Sequence, residues 1–293
     1  MGALTPLGES VQDFWNGLTE GKSGIGPITL CDASSFTCQI AGEVSNFDAA
    51  SYINPKEARR MARFSQLAVA AAQLSLEDSK LDLSKENVES IGVVIGNGNG
   101  GFPTTEDNAN ILFTKGGMKV SPFFIPMILP NMAASNISRM LGTKGYSNTI
   151  ITACAAGTQA IGEAAEAIRR GTSDVILAGG CEAGISPLGL GGFCVIHALT
   201  SKNSTPQKAS RPFDAQRDGF IPAEGAAVLV LESLEHALNR GANILAEILG
   251  YGASSDGYHL VQPEKDGAGA SRAIRWSLEN AGLEPEQIDY INA

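Results

Sequence analysis

Apolar residues recur along this chain in two kinds of pattern, and each kind predicts a different element. From Pro55 to Lys80 they recur about every 3.6 residues, which predicts a single helix there. Two more helices are predicted at Gln159–Arg170, which Gly171 closes, and at Ala270–Ala281. The continuous apolar run Ile91–Ile95 predicts a strand that is buried on both faces. Further strands are predicted at Thr149–Thr152, Val175–Ala178, Ala226–Glu232, Ile244–Gly250 and Ile288–Ile291.

Strands that alternate with helices indicate the α/β class, with a mostly parallel sheet covered by helices on both faces. One part of the pattern occurs twice. Ser75–Leu76–Glu77–Asp78 precedes the predicted strand at Ile91, and Ser277–Leu278–Glu279–Asn280 precedes the one at Ile288. An internal duplication would explain this repeat, and chance similarity would explain it equally well.

Composition narrows the possible partners. The chain of 293 residues has 21 basic and 31 acidic residues, which gives a net charge of −10 with neutral histidines. General nucleic-acid binding needs clustered Lys and Arg, so this balance argues against it. No stretch reaches the ~20 apolar residues that span a bilayer, and the first residues do not resemble a secretory signal. We therefore expect a cytoplasmic protein with no nucleic-acid or membrane partner.

The cysteines point to one candidate nucleophile. All five are widely spaced and none forms a Cys-x-x-Cys pair, so neither a zinc site nor a disulfide framework is predicted. Cys154 differs from the others because it follows a predicted strand, is flanked by small residues and precedes a helix. That order is typical of a nucleophile elbow, and a nearby helix N-terminus favours the thiolate. The alternative is an inert thiol at a buried helix start.

A run of glycines, Gly96–Gly101, follows the predicted strand at Ile91–Ile95 and fits the spacing of dinucleotide-binding loops. The acidic residue expected about 20 positions later is absent, since that region reads Gly117–Pro122. Pro103 is also expected to prevent a helix from starting directly on the glycines. We therefore predict a close-packed loop that lines a pocket.

Histidines and cations complete the candidate chemistry. His197, His236 and His259 are each predicted to be structural, although a cysteine that works on thioesters usually needs an imidazole. The segment 56–63 holds four cations in eight residues. That density suits a solvated helix face or the docking of an acidic protein.

Several longer motifs resemble those of the β-ketoacyl-[acyl carrier protein] synthase family. They are Thr152–Gly157, Ser186–Gly189, Gly191–Phe193, Ala209–Asp214, Arg217–Phe220, Glu224–Glu232 and Ser254–His259. The likeness covers essentially the whole chain and is closest to the elongating type II synthases of dissociated bacterial fatty acid synthesis. It implies a homodimer with a thiolase-like α/β fold of two αβαβα halves, the second incomplete here. Residues 1–240 would form the half that carries the nucleophile, and 241–293 would begin the other.

The resemblance also implies an activity. Cys154 would accept an acyl chain from the carrier protein, and decarboxylation of malonyl-carrier protein would supply the carbanion that extends the chain by two carbons. Neither a metal nor a dissociable cofactor is implied. The residues that match the acyl pocket are Asn99, Phe124, Ile125 and Phe193. Those that match the docking patch for the acyl carrier protein are Lys56, Arg59, Arg60 and Lys119.

Departures from the family pattern add two expectations. Family members have a strand ahead of Gly2 and two catalytic histidines beyond Ala293, so we expect a chain truncated at both ends that cannot condense alone. Asn99 stands where the family has an apolar residue, which predicts a preference for shorter acyl chains.

Three alternatives stay open at this point. They are a non-catalytic dimer partner of the chain-length-factor type, a polyketide ketosynthase, and a thiolase-like enzyme that uses coenzyme A. Cys154 argues against the first, because such partners typically lack the cysteine. Arg211–Asp214 and the docking cations argue against the last.

Overall fold

The computed structural model describes residues 1–292, and Ala293 lies outside the described residues. The chain divides into two compact units, Met1–His236 and Ala237–Ala293. The family resemblance divides the chain into residues 1–240 and 241–293. This division stays a proposal, and its last residue lies outside the described residues.

Seven strands and ten α-helices occur in the described residues, besides short 3₁₀ turns. The strands are β1 (Gly2–Leu4), β2 (Ile25–Pro27), β3 (Ile40–Gly42), β4 (Ile91–Gly96), β5 (Ser147–Ile150), β6 (Val175–Glu182) and β7 (Gly225–Glu232). The helices are α1 (Val11–Thr19), α2 (Pro55–Ala58), α3 (Arg63–Ser79), α4 (Phe102–Lys115), α5 (Phe124–Ile128), α6 (Met132–Leu141), α7 (Ala156–Arg169), α8 (Pro187–Val195), α9 (Leu234–Asn239) and α10 (Ala268–Ala281). No helix among residues 1–292 is long and apolar enough to cross a membrane.

A five-stranded sheet in the order β1-β7-β6-β4-β5 forms the centre of the first unit. β4 pairs in parallel with β5 and β6, whereas β7 is antiparallel to β6 and β1. The prediction of a mostly parallel sheet was therefore wrong for the side formed by β7 and β1. An apolar run shows that a strand is buried but carries no signal for its direction, and this explains the error.

Helices cover both faces of this sheet, as predicted. Successive side chains of a strand point to opposite faces. Val93 of β4 joins a core cluster with Leu67 of α3, while the adjacent Val94 joins a different cluster with Ala160 and Ala164 of α7. The small residues of α7 let that helix lie close to the strands.

The single helix predicted for Pro55–Lys80 is two helices, α2 and α3, separated by residues 59–62. Gln66 stabilises the break, because its Nε2 donates to the carbonyls of Ala58 at 2.9 Å and Met61 at 3.2 Å. Ala58, Met61 and Ala62 are buried across the break. Buried apolar residues therefore keep recurring at helical spacing across residues 59–62, although the backbone there is not helical. For this reason the spacing alone could not show the interruption.

Other boundaries differ by smaller amounts. The strands predicted from Ile91 and Ala226 are correct to within one residue, whereas β5 ends two residues before Thr152 and β6 continues beyond Ala178 to Glu182. Ile244–Gly250 and Ile288–Ile291 are not strands among residues 1–292. A strand needs a neighbour with which to pair, and an apolar run does not identify that neighbour.

The two units repeat one packing detail. A Cβ on Gly2 would lie 2.6 Å from the backbone nitrogen of Ser75 on α3, and a Cβ on Gly252 would lie 2.6 Å from that of Ser277 on α10. Ser75 and Ser277 are equivalent positions of the sequence repeat, and α3 and α10 both end in a left-handed residue. The structure therefore favours duplication over chance as the origin of the repeat.

Candidate active site

Cys154 lies in a sharp turn between β5 and α7. The 3₁₀ turn Ala153–Ala155, which we call the cysteine turn, follows the end of β5 closely and leads directly into α7 at Ala156. Ala153 has φ 49°, a left-handed conformation that costs energy for a residue with a side chain. This is the strand–turn–helix geometry that the sequence predicts, although α7 begins three residues earlier than expected.

The ends of two neighbouring strands press against this turn. A Cβ on Gly96 at the end of β4 would collide with the carbonyl of Ala156 and lie 2.5 Å from the nitrogen of Gly157. A Cβ on Gly180 of β6 would lie 2.9 Å from the Cα of Gly157. Glycine is required at both strand positions because the start of α7 occupies the space of any side chain.

The thiol of Cys154 is exposed, unlike those of the four other cysteines. Cys38 and Cys181 are buried, and burial raises the pKa of each thiol above its usual value. Burial, together with the charge of Glu106, also raises the pKa of Cys31. Cys154 precedes the first residue of α7 by two positions. Exposure and position therefore both favour Cys154 as the reactive thiol.

The glycine loop, Gly96–Gly101, is held beside the cysteine turn by hydrogen bonds. The backbone nitrogen of Asn97 donates to the carbonyl of Ile150 at 2.9 Å, and its Nδ2 donates to the carbonyl of Cys181 at 2.7 Å. A Cβ on Gly101 would lie 2.7 Å from the carbonyl oxygen of Met127 and 2.8 Å from the Cα of Ile128. The close packing predicted for this loop is therefore present.

Glu182, a residue that the sequence pattern did not predict to be part of the site, anchors the same loop. Its Oε2 accepts from the backbone nitrogens of Gly98 at 2.9 Å and Asn99 at 3.2 Å. Burial raises the pKa of this carboxyl, and the backbone hydrogen bonds oppose that rise. The sequence did contain one signal that could have identified Glu182, because it is an acidic residue at the end of an otherwise apolar strand.

The expectation for Pro103 was wrong. α4 begins at Phe102, directly after the glycine loop, and Pro103 occupies its first turn. The first turn of a helix has no internal partner for its N–H groups, so the missing donor of a proline costs nothing there. A helix therefore does follow the glycines immediately.

The residues predicted for the acyl pocket lie on three elements. Asn99 is exposed on the glycine loop, and Phe124 and Ile125 lie on α5. The loop contacts α5 directly, since the nitrogen of Gly101 donates to the carbonyl of Ile128 at 3.0 Å. The structure thus brings the loop that carries Asn99 into contact with α5.

Phe193 lies on α8 and packs edge-to-face on Phe220, with the ring centroids 5.2 Å apart. Within residues 1–292, no hydrogen bond or ring contact joins Phe193 to Asn99, Phe124 or Ile125. Its assignment to the pocket depends on the sequence resemblance.

The predicted docking cations divide into two groups. Lys56, Arg59 and Arg60 are exposed on and just after α2, and Arg60 lies with its Cζ 4.8 Å from the ring centroid of Phe123. Lys119 is exposed in a separate turn, and no hydrogen bond or ion pair joins it to those three cations within the described chain.

Arg63, the fourth cation of the run, has a structural role. Its Nε and Nη2 donate at 2.7 Å to the two carboxylate oxygens of Glu224, whose side chain is 1% exposed. Its Nη2 also donates to the carbonyl of Val44 at 3.0 Å. The charge run therefore combines surface cations with one buried ion pair.

The side chains of two of the three histidines have hydrogen-bond partners within their own unit. His236 contacts Glu232 through Nδ1 at 2.8 Å and Glu86 through Nε2 at 3.0 Å. Burial lowers the pKa of His236, but these two hydrogen bonds outweigh it and the pKa lies above its usual value. Nδ1 of His259 accepts from the backbone nitrogens of residues 261 and 262 at 3.1 and 3.0 Å. In residues 1–292, no group of three or more His, Cys, Asp and Glu side chains could hold a metal ion.

Comparisons with known proteins agree with the geometry. Residues 1–237 match the family model of the beta-ketoacyl synthase N-terminal domain, and residues 245–293 match that of the C-terminal domain. A relative from Synechocystis sp., named 3-oxoacyl-[acyl-carrier-protein] synthase 2, is 48% identical over 293 residues. That match covers 100% of this chain and 70% of the relative.

Two solved structures are similar throughout. A beta-ketoacyl synthase from Burkholderia phymatum superposes with a TM-score of 0.90 and 34% identity, over 100% of this chain and 71% of that one. A type II polyketide ketosynthase in complex with its acyl-carrier protein gives a TM-score of 0.87 and 31% identity, over 99% and 71% of the two chains. The chain therefore has the thiolase-like α/β fold and belongs to the β-ketoacyl synthase family.

Proposed function

We propose that this chain carries the acyl-accepting cysteine of a 3-oxoacyl-[acyl carrier protein] synthase, a condensing acyltransferase of fatty acid biosynthesis. The observation that carries the proposal is the exposed Cys154 on a sharp turn between β5 and α7. The relative from Synechocystis sp. bears this name. The presence of the cysteine argues against a non-catalytic partner of the chain-length-factor type.

The first step is an acyl transfer to Cys154. Its Sγ attacks the carbonyl carbon of the acyl thioester on the carrier protein, a new C–S bond forms, and the bond to the carrier sulfur breaks. The proton of the Cys154 thiol goes to the departing carrier thiol. Cys154 is exposed, so an incoming thioester can reach its thiol.

The second step is a condensation. Loss of CO2 from malonyl-carrier protein leaves a carbanion that attacks the acyl-Cys154 carbonyl, so the product is longer by two carbons and Cys154 is free again. The developing negative charge needs stabilising donors. No hydrogen bond joins His197 or His236 to Cys154 within residues 1–236.

Asn99, Phe124, Ile125 and Phe193 are proposed to line the acyl pocket. The contact between the glycine loop and α5 supports this for the first three residues. An amide in an apolar pocket leaves polar atoms beside the acyl chain, which disfavours burial of a long chain. We therefore propose a preference for shorter acyl groups.

The acyl carrier protein is the proposed partner, docked on Lys56, Arg59, Arg60 and Lys119. The first three are exposed cations on one short segment of a chain whose net charge is −10. Charge complementarity at such a patch guides an acidic partner and sets its orientation. The polyketide ketosynthase among the similar structures is in complex with its own acyl-carrier protein.

A homodimer is proposed as the assembly. β5 is the last strand of the sheet and pairs only with β4 among the described residues. An uncovered edge strand invites pairing with another chain, and a second copy would cover it. The cytoplasmic location stays a prediction from the sequence.

Intact-mass spectrometry of the chain after incubation with acyl-carrier protein tests the proposed function. The wild-type chain should gain the mass of one acyl group, and Cys154→Ala should gain none. Cys194→Ala, which removes a half-buried thiol, is the matched control and should be acylated like the wild type. A wild-type chain that stays unmodified, or an adduct that persists in Cys154→Ala, would overturn the proposal.

A further inference from the structure

A carboxylate lies among the docking cations and binds two arginines from different elements. Oε1 of Glu57 on α2 lies 3.5 Å from Nη1 of Arg60, and its Oε2 lies 2.7 Å from Nη2 of Arg139. Arg139 belongs to α6, far from α2 in the sequence. The ion pair therefore adds to this surface a cation that the sequence did not connect with it.

The exposure of these side chains shows how they are arranged. The side chains of Arg60 and Arg139 are 53% and 54% exposed, while that of Glu57 is 32% exposed. Lys56 and Arg59 are also exposed, and neither has an ion pair within residues 1–292. We call these four cations around Glu57 the α2–α6 cation cluster.

Arg60 and Arg139 differ in how firmly they are held. Arg60 has a second partner, since its guanidinium also lies over the ring of Phe123. Arg139 has Glu57 as its one ion-pair partner among the described residues. An ion pair between exposed side chains is weak, so a carboxylate of another molecule can replace Glu57 at little cost. Arg139 is therefore the cation that an acidic partner can most easily redirect.

We propose that Arg139 is a further docking residue for the acyl carrier protein, and that Glu57 holds it in the α2–α6 cation cluster until carboxylates of the partner replace Glu57. This inference rests on the proposed function, because it takes the carrier protein as the partner. Glu57 has two effects in this arrangement. It keeps Arg139 beside the other three cations, and its own charge opposes the approach of an acidic surface.

Calorimetric titration of the full chain with holo-acyl carrier protein at low ionic strength tests the inference. We expect Arg139→Ala to raise the Kd about fivefold and Arg139→Glu to raise it further, since screening is weak under these conditions. Glu57→Gln should lower the Kd by about threefold, because it frees two arginines and removes one like charge. A circular dichroism melt of each variant checks that it is folded.

Arg169→Ala is the matched control. Arg169 forms an ion pair with Glu166 on α7, which packs on the opposite face of the sheet from α3, and its loss should leave the Kd unchanged. If Arg139→Ala binds like the wild type, or Glu57→Gln binds more weakly, the inference is wrong while carrier binding by the wild type still supports the proposed partner. If the wild type itself does not bind, both the docking proposal and this inference fail.

Discussion

The cysteine turn and the α2–α6 cation cluster are held in place in opposite ways. Backbone atoms packed against Gly96 and Gly180 fix the cysteine turn, so that no side chain fits between them. Ion pairs with the half-buried Glu57 hold the two arginines Arg60 and Arg139 of the cation cluster, whose side chains are exposed. The first kind of contact fixes a reacting atom, and the second can be exchanged for contacts with a partner. Substitutions should therefore have large effects on stability at the turn and small ones at the cluster.

The largest effect is expected for Gly96→Ala. The new Cβ would collide with the carbonyl of Ala156, which backbone packing prevents from moving, so we expect a loss of about 3 kcal/mol in unfolding free energy. Gly192→Ala is the control, because a Cβ there meets nothing within 4 Å. Urea unfolding followed by circular dichroism measures both, and equal stabilities of the two variants would show that the turn is not rigidly packed.

The charge run 56–63 offers a comparison within one segment. Arg63→Ala leaves the buried carboxylate of Glu224 without its partner and should cost about 3 kcal/mol or more. Arg60→Ala removes an exposed ion pair and should cost less than about 1 kcal/mol. Urea unfolding of both variants tests this. Similar losses for the two would contradict the division of the run into one structural and several surface cations.

Substitutions in the acyl pocket should change the preference for acyl-chain length rather than the stability of the protein. Asn99→Ile replaces an amide by an apolar side chain and should raise the rate of Cys154 acylation by a long-chain relative to a short-chain acyl-carrier protein, by about tenfold. Asn110→Ile, at an exposed position of α4, is the matched control. An unchanged ratio in Asn99→Ile would remove this residue from the pocket.

Sequence alone was sufficient where the evidence is local. The strand, the small residues and the helix around Cys154 are contiguous, so the turn could be predicted from their order. The strands at Ile91–Ile95 and Ala226–Glu232 are mainly apolar runs with β-branched residues, and both were located correctly to within one residue.

The features that could not be predicted from the sequence depend on contacts between different elements of the fold. Glu182 meets the glycine loop, and Arg139 meets Glu57, across more than 80 intervening positions. The direction of β7 depends on its neighbours in the sheet, and the break after α2 depends on hydrogen bonds from Gln66. None of these contacts leaves a periodic signal in the local pattern.

The most direct test of this account is to locate the acyl group by peptide mapping after the wild-type chain has reacted with acyl-carrier protein. The account predicts that the peptide containing Cys154 carries the acyl group, because this thiol is exposed and next to the N-terminus of α7. Acylation at Cys31 or Cys194, or no acylated cysteine, would contradict the assignment of Cys154 as the acyl acceptor.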